Sequence, residues 1–331
     1  MTTIKDVAQR AGVSASTVSR ILNYDQTLAV SEATRRNVLE VAEKLQYKKR
    51  PKKAKTSGTK IAVIQWHSDQ EELNDLYYYQ IQYGIETKAQ TGGVSVDTIS
   101  FSNTQSIDLS DYAGIIAVGK YDQSEIHQLA TFHKPLVFIG ENYLLYGYDS
   151  VQSDFLTPIN WMISHFLELG IQDIGLIAGQ EQTLTEHHDV YDPRATTYRH
   201  RMTHENLFNP DFLFTGSYGP DSGHALMTQA ITQLQDRLPH AFIIGSDSMA
   251  IGALKALKEH QIEVPQRVSL VSFNDVAIAK YASPALTTVH VYTEIMGERA
   301  FDLLQEQIKD TNKIPESVVI STRIITRDSS R

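Results

Sequence analysis

Along the first fifty residues, apolar positions recur at helical spacing in three short blocks. Ile4, Val7, Ala8 and Ala11 form the first, Val18, Ile21 and Leu22 the second, and Val38, Leu39, Ala42 and Leu45 the third. Thr3 with Asp6 makes a helix-start signal, Gly12 supplies the positive φ that ends a helix, and Ser31 caps the third block with Glu32 in its first turn. Ser14 or Ala15 opens the second helix, and Val13 points inward between the first two. The spacing therefore predicts two short helices around a tight turn, followed by a third.

Beyond residue 60 the period changes. Short apolar runs at Ile61–Trp66, Val94–Ser100, Gly114–Val118, Leu136–Gly140, Ile174–Ala178, Phe212–Thr215, Ala241–Gly245 and Val268–Phe273 alternate with amphipathic stretches near 76–91, 155–169, 193–207, 221–236 and 247–260. This βαβ rhythm predicts parallel sheets covered by helices on both faces. The pattern restarts after about Phe155, which implies two similar α/β subdomains. A late strand pair, Thr287–Val291 and Val318–Ile325, is expected on either side of a helix near 294–309. Between the two regimes, residues 48–60 are polar, basic and broken by Pro51 and Gly58, as a linker is. The expected organisation is a headpiece at 1–47, a linker at 48–60 and a core at 61–331.

Charge sharpens this division. Residues 1–60 hold thirteen Lys and Arg against five Asp and Glu, a balance of +8, so a chain of net −9 leaves −17 for the remainder. One small basic domain attached to an acidic body is the expected distribution when only the small domain meets a polyanion. The second helix leaves Ala15, Ser16, Ser19 and Arg20 on its outer face. Short polar groups followed by an arginine suit the major groove of double-stranded DNA.

These residues carry a resemblance. The run T-I-K-D-V-A-x-x-A-G-V-S-x-x-T-V-S-R-x-L-N, with V-S-x-x-T-R-x-x-V and L-x-Y after it, resembles the LacI/GalR family of sugar-responsive repressors from Ile4 to Tyr47, with weaker echoes to about residue 305. Asn23 to Leu28 resembles the galactose-operon repressors of lactic-acid bacteria. The resemblance implies a helix-turn-helix headpiece on a periplasmic-binding-protein-like core whose chain crosses between subdomains more than once. It also implies a cytoplasmic homodimer on a palindromic operator. On DNA, Arg20 is expected to bond a guanine, Ala15 and Ser16 to set base preference, and Thr17 and Ser19 to hold phosphates. The linker departs from the family. Lys49 and Arg50 stand where Pro and Asn are expected, and Thr56 replaces the leucine that wedges into the minor groove, so Lys52 and Lys53 are expected to bind phosphates instead.

In open α/β sheets a ligand sits beyond the carboxyl ends of the strands. The strand-end loops supply Gln65-Trp66-His67, Glu141-Asn142, Ser246-Asp247 and Asn274-Asp275, amides, carboxylates and a ring suited to sugar hydroxyls and C–H faces. The resemblance adds a role at each position. Arg194, within Asp192-Pro193-Arg194, falls at the arginine that grips effector hydroxyls or a carboxylate. Asn274 falls at the first polar position of G-[FY]-[DN]-[DN]. Ser246 stands where an effector-binding Asn is common, Glu141 at the family's Asp after the fourth strand, and Tyr218 at its stacking aromatic. Tyr77, Tyr78 and Tyr79 lie where aromatics line the pocket mouth, though at most two of three consecutive helical residues can face one pocket, and Tyr78 is the one assigned there. Bland alternatives stand beside these: Asp247 and Asp275 as helix caps, Tyr218 as plain packing, Arg194 in a surface ion pair.

Other chemistries find little support. There is no cysteine, hence no disulfide or thiolate metal site, and no cofactor or metal is expected. His187-His188 reads as solvent-exposed loop rather than as a metal site. No apolar N-terminal stretch and no run of eighteen apolar residues points to secretion or a membrane. Phosphate-binding glycine motifs and nucleophile elbows are missing, so no enzyme is expected. A small sugar is the expected effector. A protein corepressor, or a transport-type sugar receptor, remains the alternative.

Overall fold

A computed structural model of the chain describes residues 4–22, 30–31, 34–35, 37–38, 41, 58–66 and 77–331. Contacts divide the chain into two units, residues 1–55 and 56–331. The sequence features at Thr3, Glu32, Leu39, Ala42, Leu45, His67 and the linker from Lys48 to Thr56, Lys52 and Lys53 included, lie outside the described residues.

In the first unit α1 (Ile4–Ala11) and α2 (Ala15–Leu22) form as the spacing predicts. Gly12 closes α1 at φ 68°, and Ser14 caps α2 by accepting the Thr17 N–H at 3.0 Å. Ser31 accepts the Thr34 N–H at 3.1 Å at the start of the third helical stretch. Val7, Ala8, Ala11, Val18, Ile21 and Val38 are buried together, with Val13, Val30 and Val41 against them. The Asn37 amide ties the third stretch to the end of α1 by donating to the Ala11 carbonyl at 3.1 Å.

The second unit contains two six-stranded sheets. The first has the order β13 (Ser317–Ile320), β5 (Asp149–Ser153), β4 (Leu136–Ile139), β3 (Gly114–Val118), β1 (Lys60–Gln65), β2 (Ser95–Ser100), with every pair parallel. The second has β14 (Thr322–Ile325), β12 (Thr287–Val291), β11 (Ser269–Asn274), β10 (Ala241–Ile244), β6 (Ile174–Gly179), β9 (Leu213–Gly216), parallel except for the β12–β14 edge. Central strands such as β3 and β6 are buried at every residue, as helix-covered parallel strands must be.

The chain crosses between sheets three times: after β5, after β12, and in the single residue between β13 and β14. The expected strand Val318–Ile325 is therefore corrected. It splits at Ser321, one half joining each sheet. Ser317 pairs with Ser150, while Thr322 pairs with Val291, so only the second half partners β12.

Helices α3 (Tyr77–Gly92) and α9 (Thr293–Lys309) cover the first sheet together. Helices α7 (Pro220–Leu234) and α8 (Asp247–Glu259) do the same on the second. Both pairs approach through glycine: a Cβ on Gly297 would come within 2.1 Å of the Ile81 carbonyl, and one on Gly252 within 1.8 Å of the Pro220 carbonyl. Helices α5 (Leu156–Glu168) and α6 (Pro193–His204) fall where the pattern put them. Three elements were not anticipated: β5, the eight-residue α4 (Gln123–Ala130), and a small hairpin of β7 (Glu181–Gln182) and β8 (Asp189–Val190).

Candidate functional site

The carboxyl ends of both sheets open onto one cleft of about 1160 Å³. Trp66 follows β1, Lys120 follows β3, Glu141 and Asn142 follow β4, Gln180 follows β6, Tyr218 follows β9 and Asn274 ends β11, all on its wall. The volume lies just above the usual range for small-molecule sites, about 300–1,000 Å³.

Arg194 occupies the centre. It sits in the first turn of α6, whose N-cap is Asp192 and whose first residue is Pro193. The Asp192 carboxylate accepts from the Arg194 backbone N–H at 2.9 Å and from its Nε at 2.9 and 3.1 Å. The Arg194 Nη1 donates to the Gly245 carbonyl at 2.6 Å, and Nη2 donates to the Tyr218 hydroxyl, which in turn donates to Asp192 at 3.2 Å. Three of the five guanidinium N–H groups are thus engaged, and Arg194 is among the residues lining the cleft. Phe155 lies 4.8 Å from the guanidinium carbon, Tyr218 and Phe273 each 5.4 Å.

The electrostatics follow from this enclosure. Burial opposes the charge on Asp192, yet the Arg194 cation beside it prevails and holds the carboxyl below its usual value. Burial also opposes the Arg194 charge, and Asp192 overcomes that too, so the guanidinium stays protonated. Burial raises the Tyr218 hydroxyl well above the ordinary tyrosine value, keeping it a donor. Between the two subdomains Lys120 pairs with Glu181 at 2.7 Å, and the Tyr78 hydroxyl donates to the same carboxylate at 3.4 Å. Glu141 is raised by burial, with Lys120 only partly offsetting it.

Among the expected site residues, Tyr78, Glu141, Arg194, Tyr218 and Asn274 share the cleft. Asn274 is 6% exposed with φ 104°, a left-handed backbone that asparagine tolerates better than most residues. Tyr77 and Tyr78 line the cleft while Tyr79 is 56% exposed, as three consecutive helical residues require.

Ser246 is a correction. It is fully buried behind the wall, is not among the lining residues, and its hydroxyl accepts the Met249 N–H as the cap of α8. The cap reading of Asp247 fails for the same reason: Ser246 holds that place. The buried Asp247 carboxylate instead accepts from the Ser272 hydroxyl, the Thr288 hydroxyl at 2.6 Å and the Val276 N–H at 2.8 Å, stitching α8 to β11 and β12. Asp275 is not a cap either, binding Arg327 at 2.6 Å and His290 at 3.0 Å.

Gln65 donates to Gln82 on α3 at 2.6 Å. Lys120, Phe155 and Glu181 are among the lining residues that sequence reasoning passed over. Lys120 was accessible to the strand-end rule, because it stands two residues past β3.

Among the described residues one trio, Asp122, Glu186 and His188, brings metal-ligating atoms within 4.8 Å of one another. Two of the three are exposed, and Asp122 caps α4.

On α2, Arg20 is exposed, while the Thr17 hydroxyl is engaged with Ser14 at 2.8 Å. Ala15, Ser16 and Ser19 occupy helical positions on α2, and their side chains lie outside the description. No helix among the described residues is long and apolar enough to cross a membrane.

Residues 3–49 match the family described as bacterial regulatory proteins, lacI family, and residues 163–330 match the periplasmic binding protein-like domain. The chain is 49% identical over 330 residues to the HTH-type transcriptional regulator GalR of Lacticaseibacillus casei, covering all of both chains. It is 37% identical over 334 residues to the regulator of that name from Streptococcus thermophilus, again over all of both. Its fold is similar to that of the lac repressor dimer bound to operator and the anti-inducer ONPF, with a TM-score of 0.71, 22% identity and 99% of each chain covered.

Proposed function

This chain belongs to the LacI family, as a DNA-binding transcription regulator and not an enzyme, and we propose that its cleft takes an uncharged sugar of the galactose type that sets operator affinity. The observation carrying the sugar reading is the Arg194 cluster: a buried, cleft-lining guanidinium neutralised by Asp192, with two of its N–H groups unengaged and the rings of Phe155 and Tyr218 beside it on the wall. Sugar hydroxyls accept from such donors, and sugar C–H faces lie against such rings.

Charge balance argues for a neutral ligand. The two cationic amines and guanidines on the wall, Arg194 and Lys120, are each matched by a carboxylate, and Glu141 adds a further acid. A phosphorylated sugar would bring two negative charges to a wall with no surplus positive charge. The galactose type is proposed from the likeness to the two regulators named GalR, at 49% and 37% identity.

The DNA half of the reading assigns Arg20 to a guanine, Ala15 and Ser16 to base preference, Thr17 and Ser19 to phosphates, and Lys52 and Lys53 to non-specific phosphate contact. The protein acts in the cytoplasm as a homodimer, two headpieces meeting the halves of a palindromic operator. Sugar bound between the subdomains changes their relation and thereby operator affinity.

Fluorescence anisotropy on the duplex upstream of galactose-utilisation genes tests this. Galactose is expected to change affinity by about 5–150-fold, and Arg20→Ala to weaken binding by on the order of 1–3 kcal/mol at one base pair. An operator titration indifferent to galactose would remove that sugar as the signal.

A further inference from the structure

Between β6 and α6 the chain leaves the second sheet in a hairpin. Glu181 pairs with Val190 and Gln182 with Asp189, and the turn is closed by the Thr183 N–H to the His188 carbonyl at 2.9 Å and the His188 N–H to Thr183 Oγ1 at 3.1 Å. Both ends belong to the second subdomain, but the hairpin is fastened to the first. Glu181 meets Lys120 and Tyr78, and the Thr185 N–H donates to Glu125 Oε1 at 2.8 Å.

Glu125 is fully buried, and its other oxygen accepts the Asp122 N–H at 2.9 Å, completing the capping box of α4. One carboxylate therefore serves the start of a helix and the tip of a hairpin from the other subdomain. Meanwhile Gln180, Gln182, Thr183, Leu184 and His187 line the cleft beneath.

We propose that the hairpin 181–190 is a latched lid over the cleft, and that Glu125, which is not among the lining residues, is the positioning residue that governs how fast a sugar enters and leaves. This rests on the cleft being the effector site. The strap is bonded to both lips and lines the cleft, so its release would widen the way in. Two features set the latch strength. Releasing Thr185 strands a buried carboxylate oxygen, which opposes opening. The hairpin itself has only two paired rungs, so its local opening is far easier than global unfolding.

Two variants break the bond from opposite sides. Glu125→Gln keeps an oxygen for the Asp122 N–H but turns an amide NH₂ toward the Thr185 N–H. Thr185→Pro removes the donor and leaves α4 untouched. Hydrogen exchange of the amides in 183–190 is expected to accelerate about tenfold or more in each variant, with β6 unchanged. The double variant should be no faster than the singles, since both remove one bond. Stopped-flow tryptophan fluorescence with galactose, read through Trp66 in the cleft wall, should show association and dissociation rates rising together while Kd moves less.

Unchanged hairpin exchange in both variants would overturn the latch. Faster exchange with unaltered galactose rates would overturn the lid. If no variant and no wild-type protein binds galactose, the effector assignment fails, and the exchange data still decide the latch by themselves.

Discussion

Asp192 and Asp247 stand at the starts of two helices in the same subdomain, both at the carboxyl ends of strands and both buried, yet they are driven in opposite directions. Asp192 sits behind the cleft-lining Arg194 and has its guanidinium against it, which holds its pKa down despite the burial. Asp247 lies one layer behind and has only hydroxyls and a backbone N–H. Burial wins there and pushes it up to about 6 in spite of three hydrogen bonds. In this pair the counter-ion outweighs burial, while the hydrogen bonds to Asp247 offset it only in part. The cleft side is therefore charged and preorganised at neutral pH, while the layer behind holds a group near its titration point.

The largest test of that contrast is Asp192→Ala. It leaves Arg194 buried without its partner and should cost about 3–5 kcal/mol of stability in urea unfolding; a loss under 1 kcal/mol would mean the pair is solvated.

Next comes pH. For Asp247 the folded value is raised from 3.8 to about 6, so its contribution to stability is fully present below pH 4 and is lost as pH rises through about 6, on the order of 3 kcal/mol in all. Asp247→Asn should erase that decline. Asp192 has the opposite sign, stabilising above its unfolded pKa and losing the effect as pH falls through its depressed folded value. Asp192→Asn should therefore flatten the acid limb instead.

Smaller effects refine the picture. Thr288→Val removes one donor from Asp247 and should cost about 1–2 kcal/mol while raising the carboxyl further, visible as a shift of the pH midpoint upward. Smallest is Tyr218→Phe. It deletes the hydroxyl between Arg194 and Asp192 at about 1 kcal/mol of stability, with a larger proportional loss of sugar affinity in titration.

How much of this was legible beforehand varies with how local the determinants are. The described part of the headpiece was readable because Gly12, Ser14 and Ser31 act on neighbours within a few positions, and the apolar faces of α1 and α2 repeat at helical spacing. The strand-end rule found Trp66, Glu141 and Asn274, since the apolar runs show where strands stop, while Tyr218 was reached through the family resemblance. Three things escaped. Helix α4 has eight residues, too few for an apolar period to stand out, although its Asp122-x-x-Glu125 box was in plain view. Lys120 and Glu181 meet across subdomains, which no local pattern reports. Ser246 occupies the strand-end position of a ligand-binding residue, but its short side chain turns back to the Met249 N–H, a choice that depends on helix geometry.

Calorimetric titration of the purified protein with galactose and with galactose 1-phosphate, beside Arg194→Lys, bears most directly on the central reading of the cleft. Lysine keeps the charge next to Asp192 but not the planar fork. Saturable binding of galactose, no binding of the phosphate, and a loss of about tenfold or more in the variant are the predicted results. Tighter binding of the phosphate, or galactose affinity untouched by Arg194→Lys, would contradict the neutral-sugar cleft built on Arg194.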